Sequence, residues 1–268
     1  MEIESTDNLV HALLDIKRHV VGVSFLHSAN AFESCSAKPI KYKMPYCVMV
    51  RSACNGHDIK ASADNFGCMG AARALGFIEP GENYLSGKHG FGMGMFCNLE
   101  TAARASSSTV LIDAPSYGVR LAPLARYDEA SLVPDVVIVV ASPFVAMRLV
   151  EGYNYAYGVN GGFSINGNQA LCAELTAFPL QTGNMNLSLL CSGTRNNAKW
   201  TEDEIGIAFP GSKFRAVVEG VLATVNPLER DNKKAEIQGN LEQLGISHNI
   251  EYGKNYDTGL YTFGKVKK

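Results

Sequence analysis

Pro134-Asp-Val-Val-Ile-Val-Val-Ala141 is the stretch that decides the fold. Its apolar, largely β-branched run offers no polar side to water, which is the signature of a strand buried on both faces. Such a strand needs helices above and below the sheet. Pro143 opens one downstream, with Phe144, Met147 and Val150 at helical spacing. Upstream, Ser5 or Thr6 can cap a helix carrying Leu9, Leu13 and Ile16, followed by a buried strand over 20–26. Further strands are expected over 59–63, 118–124, 186–191 and 204–209. A helix after Pro210 presents Phe214, Val217, Val218, Val221 and Leu222. Strands and helices alternate without strict βαβ order. The expected fold class is therefore α/β (or α+β), a mixed sheet with flanking helices.

Seven cysteines are spread over 268 residues, and four of them fall in two similarly punctuated segments. The first segment starts at Cys47, turns at Asn55-Gly56, passes a short strand and reaches Cys68-Met-Gly70, with Arg73 beyond. The second starts at Cys172, turns at Gly183, passes 186–190 and reaches Cys191-Ser-Gly193, with Arg195 beyond. This pattern predicts two pseudo-repeated halves within one domain over 1–225. After it the charged segment from Pro227 and the tail form a C-terminal appendage over 226–268, packed on the core or on a second subunit of a homo-oligomer.

If the halves face each other, Cys47, Cys68, Cys172 and Cys191 converge as soft ligands for a metal or cluster. A [4Fe–4S] cluster is the first expectation and zinc the second, although neither the Cys-x(2–4)-Cys knuckle nor the bacterial ferredoxin spacing is present. Gly70 and Gly193 would let backbone approach such a cofactor, and Arg195 would bind an anionic substrate group or offset cluster charge. The bland alternative makes the cysteines buried filler and the arginines surface ion-pair partners. A cysteine nucleophile is the other chemistry to weigh; His57 or His89 could orient a thiol, but no local signature ties either to a cysteine. Glu174 and Asp64 are the carboxylates nearest the cysteine segments; capping is the commoner role for both.

Net charge is −2, with basic residues scattered apart from the Lys265-Val-Lys-Lys268 end, so nucleic acid is not an expected partner. No run approaches the roughly 20 apolar residues of a membrane span. The polar start lacks the pattern of a secretory signal. A cytoplasmic protein with free thiols follows, and an odd number of cysteines at long spacing argues against a disulfide framework. Gly87-Lys-His-Gly-Phe-Gly-Met-Gly94 has no phosphate-loop order and reads as a tight loop.

Tyr46-Cys47, Cys68-x-Gly-Ala-Ala-x-Ala-Leu-Gly76, Gly94-Met-Phe96 and Pro134-Asp-Val-Val137 occur in that order. They precede Cys172-Ala-x-x-Thr-Ala-x-Pro-Leu-x-Thr-Gly183 and Asn186-x-Ser-Leu-x-Cys191-x-Gly-x-Arg195. Together these motifs resemble the family called domain of unknown function 169, over about Leu9 to Val225. The resemblance implies that Cys47, Cys68, Cys172 and Cys191 are the motif cysteines and that Cys35, Cys54 and Cys97 are not. It also implies a second cysteine before the last arginine, where this chain has Thr194.

The expectation is a cytosolic iron–sulfur protein, leaning towards an oxidoreductase or lyase acting on a small, anionic substrate and served by an electron-transfer partner. Its alternatives are a metal-free small-molecule-binding or interaction protein and an enzyme with a cysteine nucleophile.

Overall fold

A computed structural model describes residues 3–113, 115–127 and 133–254. Among these, seven strands form one mixed sheet. They are β1 (Val21–Leu26), β2 (Lys38–Pro39), β3 (Ile59–Ser62), β4 (Gly118–Pro123), β5 (Val136–Ala141), β6 (Asn186–Ser188) and β7 (Ile205–Pro210), in the spatial order β2-β3-β4-β1-β5-β7-β6. Only β2 and β3 pair in parallel; every other neighbour is antiparallel.

β5 behaves as its sequence requires. Val136, Ile138 and Val140 enter one apolar core while Val137, Val139 and Ala141 enter the other. All six are buried. The two-residue period of a strand thus divides the molecule into three layers. One outer layer contains the N-terminal helix (Ile3–Leu13), the long helix Pro143–Tyr157, and the helices Gly211–Ala223 and Asp231–Gln243. The other carries the cysteine-bearing helices.

At the centre, β1 and β5 pair over only three register positions, Val21 with Ile138, Gly22 with Val137 and Val23 with Val136. Asp135 continues the junction where the pairing ends. Its N–H donates to Val23 O (2.8 Å), and its carboxylate accepts the Phe25 N–H (2.7 Å). Burial pushes the Asp135 carboxyl above its ordinary pKa, with the Phe25 hydrogen bond opposing it.

On the helical face away from the cysteines, Pro143–Tyr157 crosses Gly211–Ala223 at two glycines. A Cβ on Gly152 would lie 2.4 Å from Val217 O, and one on Gly220 would lie 2.3 Å from Gly152 O. Beside this crossing, fully buried Arg148 donates to Glu229 (2.6 Å), Glu151 (2.5 Å) and Thr224 (3.2 Å), so its charge is paired.

Local expectations change at the glycine-rich stretch and at the strand before Cys191. The glycine-rich stretch is not all loop: Gly87, at φ +77°, starts a short helix over Lys88–Gly92. The strand expected to reach Cys191 stops at Ser188, because Leu190 adopts φ +62° and turns the chain into the next helix. The segment after 225 packs on the core, one of the two placements expected for it. Ile237 and Leu241 enter the second core, Asn240 donates to Ala12 O (3.0 Å), and buried Lys234 donates to the carbonyls of Glu251 and Lys254. The basic end over 265–268 lies outside the described residues.

Candidate functional site

Four elements on one face of the sheet each contribute one cysteine to the same cavity. Cys47 lies in the first turn of the helix Tyr46–Cys54, which Pro45 introduces in extended conformation. The buried side of this helix is Tyr46, Met49, Val50, Ala53 and Cys54, leaving Cys47 half-buried at the edge. Cys68 immediately precedes the helix Met69–Ala74 and is exposed; Cys191 immediately precedes Ser192–Ala198 and is half-buried. Each thiol therefore sits at a helix start, where backbone N–H groups lack partners of their own. At Cys191 the Thr194 N–H points to Sγ (3.4 Å), and the Thr194 hydroxyl lies 3.1 Å from it. Thr194 stands where the family resemblance led us to expect another cysteine, and its hydroxyl is spent on the cysteine that remains.

Cys172 is on a π-helix, Ala170–Ala177, all eight residues of which are buried. A π-helix widens the backbone turn and is uncommon outside functional sites. Two contacts fix it. Tyr46 Oη and Thr176 Oγ1 are 3.0 Å apart, joining it to the Cys47 helix, and Leu175 packs onto Gly206 of β7 where a Cβ would lie 2.2 Å from its side chain. The π-helix also packs against the Cys68 helix, and the Cys47 helix against the Cys191 helix. Buried Glu174 organises the loop ahead of it. Its carboxylate accepts the N–H groups of Asn166 (2.7 Å) and Gly167 (2.9 Å) and the Ser188 hydroxyl. That loop delivers Asn168 and Gln169 to the cavity wall.

The cavity has a volume of about 120 Å³ and is lined by Cys47, Cys68, Cys172 and Cys191 together with Gly70, Gly193, Thr194, Asn168, Gln169 and Asn197. A single water fills about 10–15 Å³ on this measure. The space therefore suits a polyatomic group better than one bare ion. Burial pushes the Cys47 thiol up to about 11, with Cys191 and then Cys68 adding to the effect. Cys172 is raised for the same reasons: burial first, then Cys68 and Cys191. Cys68 and Cys191 are thus electrostatic neighbours of both Cys47 and Cys172, opposing the ionisation of each. Among the described residues, no three His, Cys, Asp or Glu side chains are grouped as ligands of a single metal ion.

The profile of a family described as uncharacterised ArCR, domain of unknown function 169, matches residues 10–220. The chain belongs to this family. The match spans all four cavity cysteines and stops before the helix Asp231–Gln243. An uncharacterized protein of Methanocaldococcus jannaschii is 30% identical over 178 residues, which is 66% of this chain and 75% of that protein. No solved structure matches. Membership of the family carries no reaction with it, so chemistry has to be read from the cavity.

All four sequence-predicted cysteines line one cavity, and so do both glycines. The missing Cβ of Gly70 would lie 3.7 Å from Cys68 Sγ, and that of Gly193 4.0 Å from Cys191 Sγ. Cys35, Cys54 and Cys97 lie elsewhere; Cys54 is buried, and its thiol is pushed up to about 12 by burial. Arg195 has a different set of partners from the one expected. Its guanidinium donates to the carbonyls of Leu189 (2.8 Å), Glu204 (3.0 Å) and Thr201, and it is not among the residues lining the cavity. It holds together the turn that presents Cys191. Asn168, Gln169 and Asn197 were not singled out from the sequence, because isolated uncharged amides carry no spacing signal.

Proposed function

We propose that the chain is an iron–sulfur protein in which Cys47, Cys68, Cys172 and Cys191 hold a [4Fe–4S] cluster serving redox or Lewis-acid chemistry on a small anionic molecule. One observation carries this reading: four thiols distant in sequence line one cavity of about 120 Å³ whose lining includes no carboxylate and no imidazole. Thiolates are the ligands of such clusters, and the size of the cavity favours a cluster over zinc. When bound, the cluster would supply one-electron transfer, or a Lewis-acidic iron if one cysteine were released.

The protein's own contributions are the burial of Cys172, the Thr194 N–H that donates to Cys191, and backbone approach at Gly70 and Gly193. Ligation requires the thiols to lose their protons, so filling the site releases protons and is favoured by rising pH. We also propose that the two cysteine segments are pseudo-repeats. Supporting this, β3-β4-β1 and β6-β7-β5 have the same nesting on either side of the central junction, and each outer strand is followed by a cysteine at a helix start.

Anaerobic reconstitution with iron and sulfide tests the proposal. The expected result is a brown protein with a broad visible band and about four irons per chain. The Cys68→Ser/Cys191→Ser double variant should lose both. A colourless wild-type protein that takes up neither iron nor zinc would refute it. A second reading has its own support, since Cys68 and His89 line one adjoining cavity. Selective alkylation of Cys68 at neutral pH with no iron uptake would favour a cysteine nucleophile.

A further inference from the structure

A second cavity, of about 390 Å³, opens beside the thiol cavity and shares Cys68, Gly70, Asn168 and Gln169 with it. Its remaining wall includes Arg73, Tyr84, His89, Met93, Met95 and Phe96, with Ala105 and Ser106 on one side. The volume falls within the range of small-molecule sites.

Three features define the ligand chemistry. Arg73 lies over the Tyr84 ring, 4.1 Å from guanidinium carbon to ring centroid, and its Nε is buried with no hydrogen-bond partner. No aspartate or glutamate is among the lining residues, so the permanent charge of the wall is positive. Gln169 is engaged at one end only: Nε2 donates to Tyr84 Oη (3.0 Å), while Oε1 is buried and unpartnered. A buried donor and a buried acceptor left open are costly unless a ligand or water satisfies them. Between them, the methionines and aromatic rings form a soft apolar surface suited to a flat body.

We propose that this chamber binds a planar aromatic carboxylate. Its anionic group meets Arg73, its ring rests against Tyr84, Met93, Met95 and Phe96, and a hydroxyl or ring N–H donates to Gln169 Oε1. Gly70 separates the chambers: its missing Cβ would lie 3.7 Å from Cys68 Sγ and 3.8 Å from Gln169 Oε1. The ligand's edge is thereby held next to the thiols. The chamber's role as a substrate compartment rests on the cluster reading above; its binding capacity does not.

The test uses metal-free protein, so that failure of the cluster leaves it intact. Binding of 6-hydroxy-2-naphthoate, 2-naphthoate and 2-naphthol is followed by ligand fluorescence. Saturable binding is expected, with 6-hydroxy-2-naphthoate tightest and 2-naphthol at least about tenfold weaker for want of the charge-assisted contact. Arg73→Met should abolish the preference for the carboxylates. Ala105→Phe should remove binding by filling the chamber, and Ser106→Phe does the same test should the first variant fail to fold. Equal binding of the naphthol and the carboxylates to wild-type protein would overturn the proposal. So would undiminished binding in the folded phenylalanine variant, or no saturable binding at all.

Discussion

Alkylation of Cys47 in metal-free protein gives a measurable account of how the cavity treats its thiols. Burial, with Cys191 and Cys68 nearby, moves this thiol from an ordinary 9.0 to about 11. At pH 8 the thiolate fraction then falls from about 9% to about 0.1%, roughly 100-fold. The thiolate of a weaker acid is a better nucleophile, and a Brønsted coefficient of about 0.4–0.5 returns about 6–10-fold over that interval. Cys47 should therefore react with iodoacetamide roughly 10–15-fold more slowly than an ordinary exposed thiol, before any hindrance to access. Peptide mapping by mass spectrometry between pH 7.5 and 9.5 reads the rate at each cysteine separately. The logarithm of the Cys47 rate should climb with unit slope across the whole interval, whereas a thiol of pKa 9 bends within it. Replacing Cys68 and Cys191 by serine should lower the Cys47 midpoint slightly and leave most of the elevation, because burial is the larger cause. A bend near pH 9 in the wild-type protein would refute the assigned burial of this thiol.

Stability offers two independent checks. Gly152→Ala should destabilise the protein by about 1–3 kcal/mol in urea unfolding, since its new methyl meets Val217 O at 2.4 Å; Gly239→Ala, whose Cβ has no neighbour within 4 Å, should be neutral or slightly stabilising. Equal effects at the two glycines would remove the close helix crossing from the account. Glu174→Gln should cost about 1.5–3 kcal/mol, because an amide cannot accept all three donors at that buried carboxylate. The same variant should also quicken alkylation of Cys172 as the loop ahead of the π-helix loosens. An unchanged urea midpoint would show that the carboxylate does not organise the loop.

Most of the layer architecture was legible because its signals are local and periodic. The run ending at Ala141 is buried on both faces, and the Phe214, Val217, Val218 and Val221 spacing became the buried side of a helix. The cysteines were legible through punctuation: Gly56 and Gly183 both adopt positive φ where the pattern turns. The Leu190 turn was hidden because leucine seldom adopts φ of 62°, a conformation costing roughly 1 kcal/mol that surrounding packing must offset. Both arginines follow a Cys-x-Gly, and the sequence favours Arg195 for its place after a strand end among polar neighbours. Only tertiary structure shows that Arg195 is spent on carbonyls while Arg73 faces a chamber. That chamber draws Tyr84, His89, Met93 and Phe96 from a stretch whose glycines concealed its helix.

The three-position junction between β1 and β5 gives the thiol cavity a mechanical meaning. Cys47 and Cys68 come from chain on the β1 side, and Cys172 and Cys191 from chain on the β5 side. Any group bonded to sulfurs from both sides is a clasp joining the two sides of this short central junction. Pulling the halves apart would then strain covalent bonds before it reached the hydrogen-bond ladder. The junction that backbone pairing leaves short is the one that a bridging ligand would reinforce.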